Sequence, residues 1–273
     1  MSAPSWTRDS VPVLMYHDIT DDAGAVPQTH RGYTLATACF LEQLHALADL
    51  SIRGLKLEDV LPRHEMTKAI EHPACVLTFD DGHESNYTTA MRSLQDAGFR
   101  ATFFITVGWV GSSPYMTWEQ IRTLAGQGME IGSHSMTHRP PATLKLAELR
   151  AEMRDSKKAL EDRLGRPVLS ASSPTGFFNP SLPSVCREVG YRALCLSRIG
   201  LWRECDDPYA VPRIPVKRGM SLADFRRLVL GDPHLLSGLR RRQVLRDALK
   251  RYLGVDRYLR LRRCLLPRRL GPP

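Results

Sequence analysis

The 273-residue chain has no uninterrupted run of about 18 apolar residues, the length a membrane-crossing helix needs. Its first ten residues, Met1 to Ser10, hold neither an apolar core nor a small-residue cleavage site, so no secretory leader is expected. No CxxC pair occurs among the six cysteines (Cys39, Cys75, Cys186, Cys195, Cys205 and Cys264), and several of them sit in apolar runs. They read as reduced thiols that pack as small hydrophobes, not as a disulfide framework. These absences together make a cytoplasmic location the expectation. Internal repeats and low-complexity tracts are also missing, which excludes a solenoid.

What is present is ordinary for a folded domain: 42% apolar and 25% charged residues, in a chain long enough for one substantial core. The charge is uneven. Twelve Arg or Lys against Asp247 and Asp256 make the segment from Ser237 to Pro273 +10, within a total of +9. The body is therefore close to neutral and the tail is basic. A domain boundary is expected only before that tail, giving a catalytic unit over 1–232 and a basic, helical tail over 233–273.

Seven apolar, β-rich runs recur: Val11–Tyr16, Cys75–Phe79, Ala101–Thr106, Met129–Gly132, Val168–Ala171, Ala193–Leu196 and Val211–Val216. Helical patterns lie between many of them. Ser85–Ala97 stops at Gly98. Thr117 is an N-cap with Gln120 three residues on. Leu144–Leu164 closes at Gly165 and Pro167, and Pro180–Val189 and Ser221–Leu230 follow. Strands alternating with helices predict an α/β fold with a mainly parallel sheet, and seven strands suit a barrel. The polar stretch from about Thr20 to Gly32 is expected to be a long loop over one end.

Two segments carry chemistry. In Thr78-Phe79-Asp80-Asp81-Gly82, adjacent carboxylates follow an apolar strand, at the end where α/β barrels build active sites. Two carboxylates so placed repel one another unless a cation is present; the plain alternative is an Asp-Asp-Gly surface turn. In Ile131-Gly132-Ser133-His134-Ser135-Met136-Thr137-His138, a second strand ends in two histidines four apart. Two imidazoles and one carboxylate leave an open coordination position, as catalytic metal sites do.

The pair TFDDG (Thr78–Gly82) and HSMTH (His134–His138) resembles the signature of the polysaccharide deacetylases, the carbohydrate esterase group with the NodB homology domain. The likeness runs from about Val11 to Leu230. It implies a distorted (β/α) barrel of about seven parallel strands that removes the N-acetyl group from an N-acetylated sugar, in a polysaccharide or a lipid-linked or precursor glycan. It further implies Asp80 as general base, and Asp81, His134 and His138 as ligands of a divalent metal. Zinc is the default, with cobalt, nickel, manganese or iron as alternatives. In the family the oxyanion donor is a backbone N–H in a motif reading Arg-x-Pro-Tyr-Gly or similar. Ser172-Ser173-Pro174-Thr175-Gly176 occupies that place, so the Thr175 N–H is the candidate. Ser172 stands where arginine is usual. Arg213 is the possible substitute, although a surface or structural ion pair is its expected role. Pro12-Val13-Leu14-Met15-Tyr16-His17 resembles the opening strand of a circularly permuted subgroup that includes poly-N-acetylglucosamine deacetylases, which implies His17 as general acid.

Other residues are weaker candidates. Pro174, Tyr87 and Trp118 are taken as substrate-binding; Trp109 and Trp202 could also stack on sugar rings, and Asn86 could line the mouth. His30, His45, His64 and His72 are read as ordinary polar residues. In the tail, Leu239, Leu245, Leu249, Tyr252 and Leu259 fall at near-helical spacing among arginines, with Gly254 interrupting. Such a helix suits peripheral contact with an anionic membrane, at the inner face for a cytoplasmic protein; packing on the barrel is the alternative. No nucleic-acid partner is expected. The competing functions are a deformylase or other amide hydrolase on the same scaffold, and a non-catalytic sugar-binding barrel.

Overall fold

The computed structural model describes residues 10–22, 30–61 and 73–265, less the side chains of 256 and 262–265. His64, His72, the middle of the 20–32 segment and the last residues of the tail lie outside these. Among the described residues nine strands form one sheet: β1 (Ser10–Tyr16), β2 (Arg53–Leu55), β3 (Ala74–Phe79), β4 (Thr102–Ile105), β5 (Glu130–Ser133), β6 (Ser170–Ser172), β7 (Ala193–Cys195), β8 (Leu201–Arg203) and β9 (Ile214–Pro215). The helices are α1 (Thr37–Asp49), α2 (Arg92–Asp96), α3 (Trp118–Gly126), α4 (Leu146–Leu164), α5 (Leu182–Val189), α6 (Leu222–Val229) and α7 (Pro233–Leu265).

The order is β7-β6-β5-β4-β3-β1-β8, with β2 beside β3 and β9 beside β1; all pairs are parallel except β1 with β8. The sheet curls into a barrel-like trough. Val211 makes a parallel bridge with Cys195 of β7, while Leu14 of β1 pairs with Ile214. The run 211–215 therefore spans the gap between the two sides and carries Arg213 inside. The fold is the expected (β/α) barrel type. All seven expected strands form. Two more, β2 and β8, are three residues each and too short to show a pattern in the chain.

Every residue of β1 and β3 is buried, which is why these strands read as continuous apolar runs. Alternate side chains serve two clusters. Leu14 and Tyr16 join Phe79, Phe103 and the helices, whereas Val11 and Val13 join Val76, Phe104 and Trp202 on the other face. Trp202 is wholly buried there, its Nε1 donating to the Val60 carbonyl at 3.4 Å, so it has no face to offer a sugar. Gly132 lets β5 lie close to β4, because a Cβ there would sit 2.5 Å from the Phe104 ring.

The expected helix ends largely hold. Thr117 and Gln120 form a reciprocal capping box on α3, and Gly165 ends α4 in the left-handed conformation. The 85–97 segment begins instead as a π-helical turn over Asn86–Met91 before α2. α7 is broken at Gly254, whose φ of 70° and ψ of 174° are not helical. It packs against the barrel: Leu236 is in the core, and Gln243 Oε1 accepts from the Ile199 N–H at 2.7 Å. No helix among the described residues is long and apolar enough to cross a membrane. Cys39, Cys75, Cys186, Cys195 and Cys205 are unpaired thiols.

Candidate active site

Strands β1, β3 and β5 deliver their C-terminal residues to one end of the trough, where a cavity of about 660 Å³ is lined by His17, Asp80, Asp81, His83, His134, His138 and Thr175 among others. Adjacent aspartates reach the same mouth because the chain turns between them. Asp80 continues the strand, its N–H donating to the Tyr16 carbonyl at 3.0 Å, and Asp81 takes a left-handed φ of 76°. Five non-glycine residues among those described have positive φ, and four of them, Asp81, Ser135, His138 and Thr175, are at this end. Such conformations persist only where the surroundings impose them, and they concentrate at functional sites.

The histidine loop is held from below by Glu152 of α4. Its carboxylate accepts from the Met136 and Thr137 N–H groups at 3.0 and 2.8 Å and from the Thr137 hydroxyl. The Ser135 hydroxyl accepts from the His138 N–H at 3.0 Å. His134 Nδ1 lies 3.0 Å from the Ser172 carbonyl. A carbonyl can only accept, so the proton belongs on Nδ1 and Nε2 is left as a lone-pair donor.

Asp81 Oδ1, His134 Nε2 and His138 Nε2 converge, at 3.4 and 3.3 Å from the carboxylate oxygen, and all three ligand atoms lie within 4.8 Å of one another. Asp81 Oδ1 is buried yet makes no properly directed hydrogen bond. A divalent cation would satisfy this orphaned oxygen and the two nitrogens at once, so the residues fit the group. Burial pushes the Asp81 carboxyl up, but His134, His138 and His83 outweigh it and hold it well below the ordinary carboxylate range.

Asp80 has a different partner. Arg213, fully buried, donates from Nη1 to Oδ1 at 2.7 Å and from Nη2 to Oδ2 at 2.8 Å. The Ser172 hydroxyl joins them, accepting from Arg213 Nη2 at 2.7 Å and donating to Asp80 Oδ2 at 3.3 Å. Arg213 is thus not a surface residue. Its guanidinium reaches in from the 211–215 run and bonds to both Asp80 and Ser172. Burial raises the Asp80 carboxyl; Arg213, with His134 and His17, overcomes this and holds it below the usual value.

His17, at the end of β1, packs on the Tyr33 ring at 4.7 Å, and its carbonyl accepts from Asn86 Nδ2 at 2.7 Å. Its Nδ1 is buried without a partner. Burial lowers the imidazole to about 4, against the pull of Asp81 and Asp80. Thr175 lies across the cavity, and its N–H makes no hydrogen bond among the described residues. Pro174 is buried behind it and shapes the turn without lining the cavity.

Tyr87 and Trp118 are not brought to this cavity. Both pack against the main core, and Trp118 lies under the Arg163 guanidinium at 5.4 Å. Their helices run on the outer side of the sheet. Trp109 is nearer, 4.6 Å from the His138 ring. Three contributors went unrecognised in the chain. His83 follows Gly82 and its Nε2 lies 3.6 Å from Asp81 Oδ2, a proximity its adjacency to the TFDDG run could have signalled. Tyr33 and Lys250 of the tail helix also line the cavity, and neither belongs to a motif.

The family model described as Polysaccharide deacetylase matches residues 68–194. That span contains Asp80, Asp81, His134, His138 and the Thr175 turn, and leaves out His17 and Arg213. The Bacillus subtilis (strain 168) protein YxkH is 27% identical over 79% of this chain and 74% of its own length. A peptidoglycan-N-acetylglucosamine deacetylase of Bacillus cereus is 29% identical over 48% of this chain and 57% of its own. In fold, the Streptococcus pyogenes deacetylase PplD, solved in complex with acetate, superposes with a TM-score of 0.72 at 22% identity, covering 81% of this chain and 98% of that one. The TFDDG and HSMTH residues gathered at one barrel mouth thus lie within the part of the chain, residues 68–194, that matches the polysaccharide deacetylase family model.

Proposed function

We propose that the protein is a metal-dependent hydrolase that removes the N-acetyl group from an N-acetylated sugar. The observation that carries this reading is one cavity holding two carboxylates in two electrostatic settings. Asp81 faces two imidazole nitrogens and Asp80 faces a guanidinium. Asp81, His134 and His138 would hold the metal. When bound, a divalent ion polarises an acetyl carbonyl and eases deprotonation of an attacking water, and zinc suits this donor set.

The chain's own residues supply the rest. Asp80, kept ionised by Arg213, takes the proton of the attacking water. The Thr175 N–H donates to the oxygen that gains charge as the carbonyl carbon becomes tetrahedral. His17 delivers a proton to the sugar nitrogen as the C–N bond breaks, releasing amine and acetate. Being neutral at first, the imidazole must take up that proton before passing it on, and Asp80 and Asp81 are the charges that favour its cation.

The outward side of α7 supports a second element of the proposal. Leu245, Leu249 and Tyr252, at 71%, 42% and 87% exposure, form a stripe at helical spacing, flanked by exposed Arg241, Arg242 and Arg251. An apolar stripe bordered by arginines fits the surface of an anionic bilayer. A cytoplasmic enzyme resting on the inner membrane face and acting on a lipid-linked or precursor glycan is the setting we propose.

Acetate release from N-acetylglucosamine oligosaccharides and from lipid-linked N-acetylated sugars tests the activity, with Asp80→Asn as control. Release that needs Asp80 supports the deacetylase. If the metal-loaded protein releases acetate from neither class, the reading fails, and formate release or sugar binding without turnover becomes the account of the site.

A further inference from the structure

The tail helix has a second side, which faces the active site. Arg246, Asp247, Lys250 and Tyr258 line the same cavity as the two aspartates. Gln243 pins this stretch to the barrel, through the Ile199 N–H and by donating to the Ser197 carbonyl. Two turns on, Lys250 reaches the loop after β6. Its Nζ donates to the Gly176 carbonyl at 2.8 Å and sits over the Phe177 ring at 4.6 Å and the Tyr258 ring at 5.7 Å. Those two rings meet edge to face at 5.7 Å, framing the ammonium between helix and loop.

The loop it holds is the one that presents the Thr175 N–H. Thr175 and Gly176 are successive left-handed residues, with φ of 62° and 68°, and threonine is a costly residue to keep there. Within the turn, the Gly176 N–H donates to the Pro174 carbonyl at 2.7 Å; before it, the Ser173 N–H donates to the Cys195 carbonyl at 2.9 Å. Beyond Gly176 the restraint passes to Lys250, from a segment 74 residues away in the chain.

We propose that Lys250 is a positioning residue of the active site: from the C-terminal helix it clamps the Gly176 carbonyl and so keeps the Thr175 N–H aimed at the reacting acetyl group. The inference rests on the reading of that N–H as the oxyanion donor. It makes the basic tail part of the catalytic apparatus as well as a surface element. An amide that acts on charge developing in the transition state contributes to turnover and little to ground-state binding, so loosening it lowers kcat and leaves KM almost unchanged.

The test compares the full-length wild-type protein with Lys250→Met, which keeps the aliphatic stem but loses the ammonium, and with Lys250→Arg. Lys250→Gln replaces Lys250→Met should the latter not fold. In Lys250→Met, kcat for acetate release is expected to fall about 10- to 100-fold, with KM within about threefold. Metal content and melting temperature should stay at wild-type values, and Lys250→Arg should recover most of the loss. Amide exchange of the 173–177 segment should quicken in Lys250→Met while the barrel strands stay as protected as before. Unchanged kcat, a loss confined to KM, or unchanged exchange in that segment overturns the inference. Wild-type protein that releases no acetate sinks the deacetylase reading instead, and the exchange comparison still decides whether the clamp exists.

Discussion

Arg213 and Asp80 stand 133 residues apart in the chain and meet as a buried bidentate pair, with both nitrogen–oxygen distances under 3 Å. Each is at most 3% exposed in its side chain, so neither charge is solvated unless the other is present. The Ser172 hydroxyl closes a three-membered polar group with them. This chain has a serine at the end of β6 and brings the guanidinium in from residue 213, just before β9.

Removing that guanidinium leaves a buried carboxylate uncompensated. Arg213→Met is expected to lose about 3–5 kcal/mol of unfolding free energy, as breaking buried ion pairs generally does. Urea unfolding followed by circular dichroism measures it. A loss below about 1 kcal/mol would mean that water or a repacked neighbour replaces the arginine.

The same pair sets a pH dependence. The carboxyl of Asp80 is lowered in the folded protein, so its contribution to stability is whole above the ordinary carboxylate value of about 4 and is lost as pH falls through the lowered one. In the role of base proposed for it, Asp80 therefore stays ionised through the weakly acidic range. Arg213→Lys keeps one charge but loses the fork, and the acid limb of kcat/KM is expected to move to higher pH. A rate profile between pH 4 and 8 checks this. An unmoved limb would assign it to another group.

His17→Ala is expected to lower kcat by about 10²- to 10⁴-fold, the usual range for a general acid, while metal content stays at the wild-type level. Metal analysis beside the turnover assay separates this from damage to the Asp81 cluster. Wild-type turnover in the variant would remove His17 from the reaction.

Asp81→Asn and His138→Ala are each expected to lose bound metal along with activity, whereas Asp80→Asn should lose activity and keep the metal. Metal content of the purified variants by mass spectrometry decides it. Restoring a chelated wild-type protein with zinc, cobalt, nickel, manganese or iron in turn would identify the ion that serves best. Retention of full activity after exhaustive chelation would contradict the role given to this cluster.

Leu245→Glu with Leu249→Glu reverses the character of the outward stripe on α7 without touching the side that lines the cavity. Sedimentation with anionic phospholipid vesicles is expected to fall to the level seen with neutral vesicles, and hydrolysis of a soluble oligosaccharide should be unaffected. Equal sedimentation of variant and wild type would rule out this face as the membrane contact.

The chain by itself determined the strands, their alternation with helices and the two motif ends, because these rest on local patterns. Fully buried parallel strands are near-continuously apolar, as Val11–Tyr16 and, but for Thr78, Cys75–Phe79 are, and Gly165 marks a helix end whatever lies around it. That the aspartate pair and the two histidines belong together was legible for the same reason, since each pair closes a strand and parallel strands bring their C-terminal ends together; the choice of Asp81 over Asp80 came from the family resemblance. Position and orientation of everything else depended on tertiary contacts. An arginine at 213 looks alike on a surface or in a core, and only the curl of the sheet, with Val211 bridging Cys195, turns it inward to Asp80. Tyr87 and Trp118, chosen for being aromatic near the motifs, go to the core because their helices lie on the outer side of the sheet. The basic tail carries a charge visible from composition, yet which face meets the cavity follows from where Gln243 and Lys250 find their carbonyl partners, a matter of packing between segments far apart in sequence.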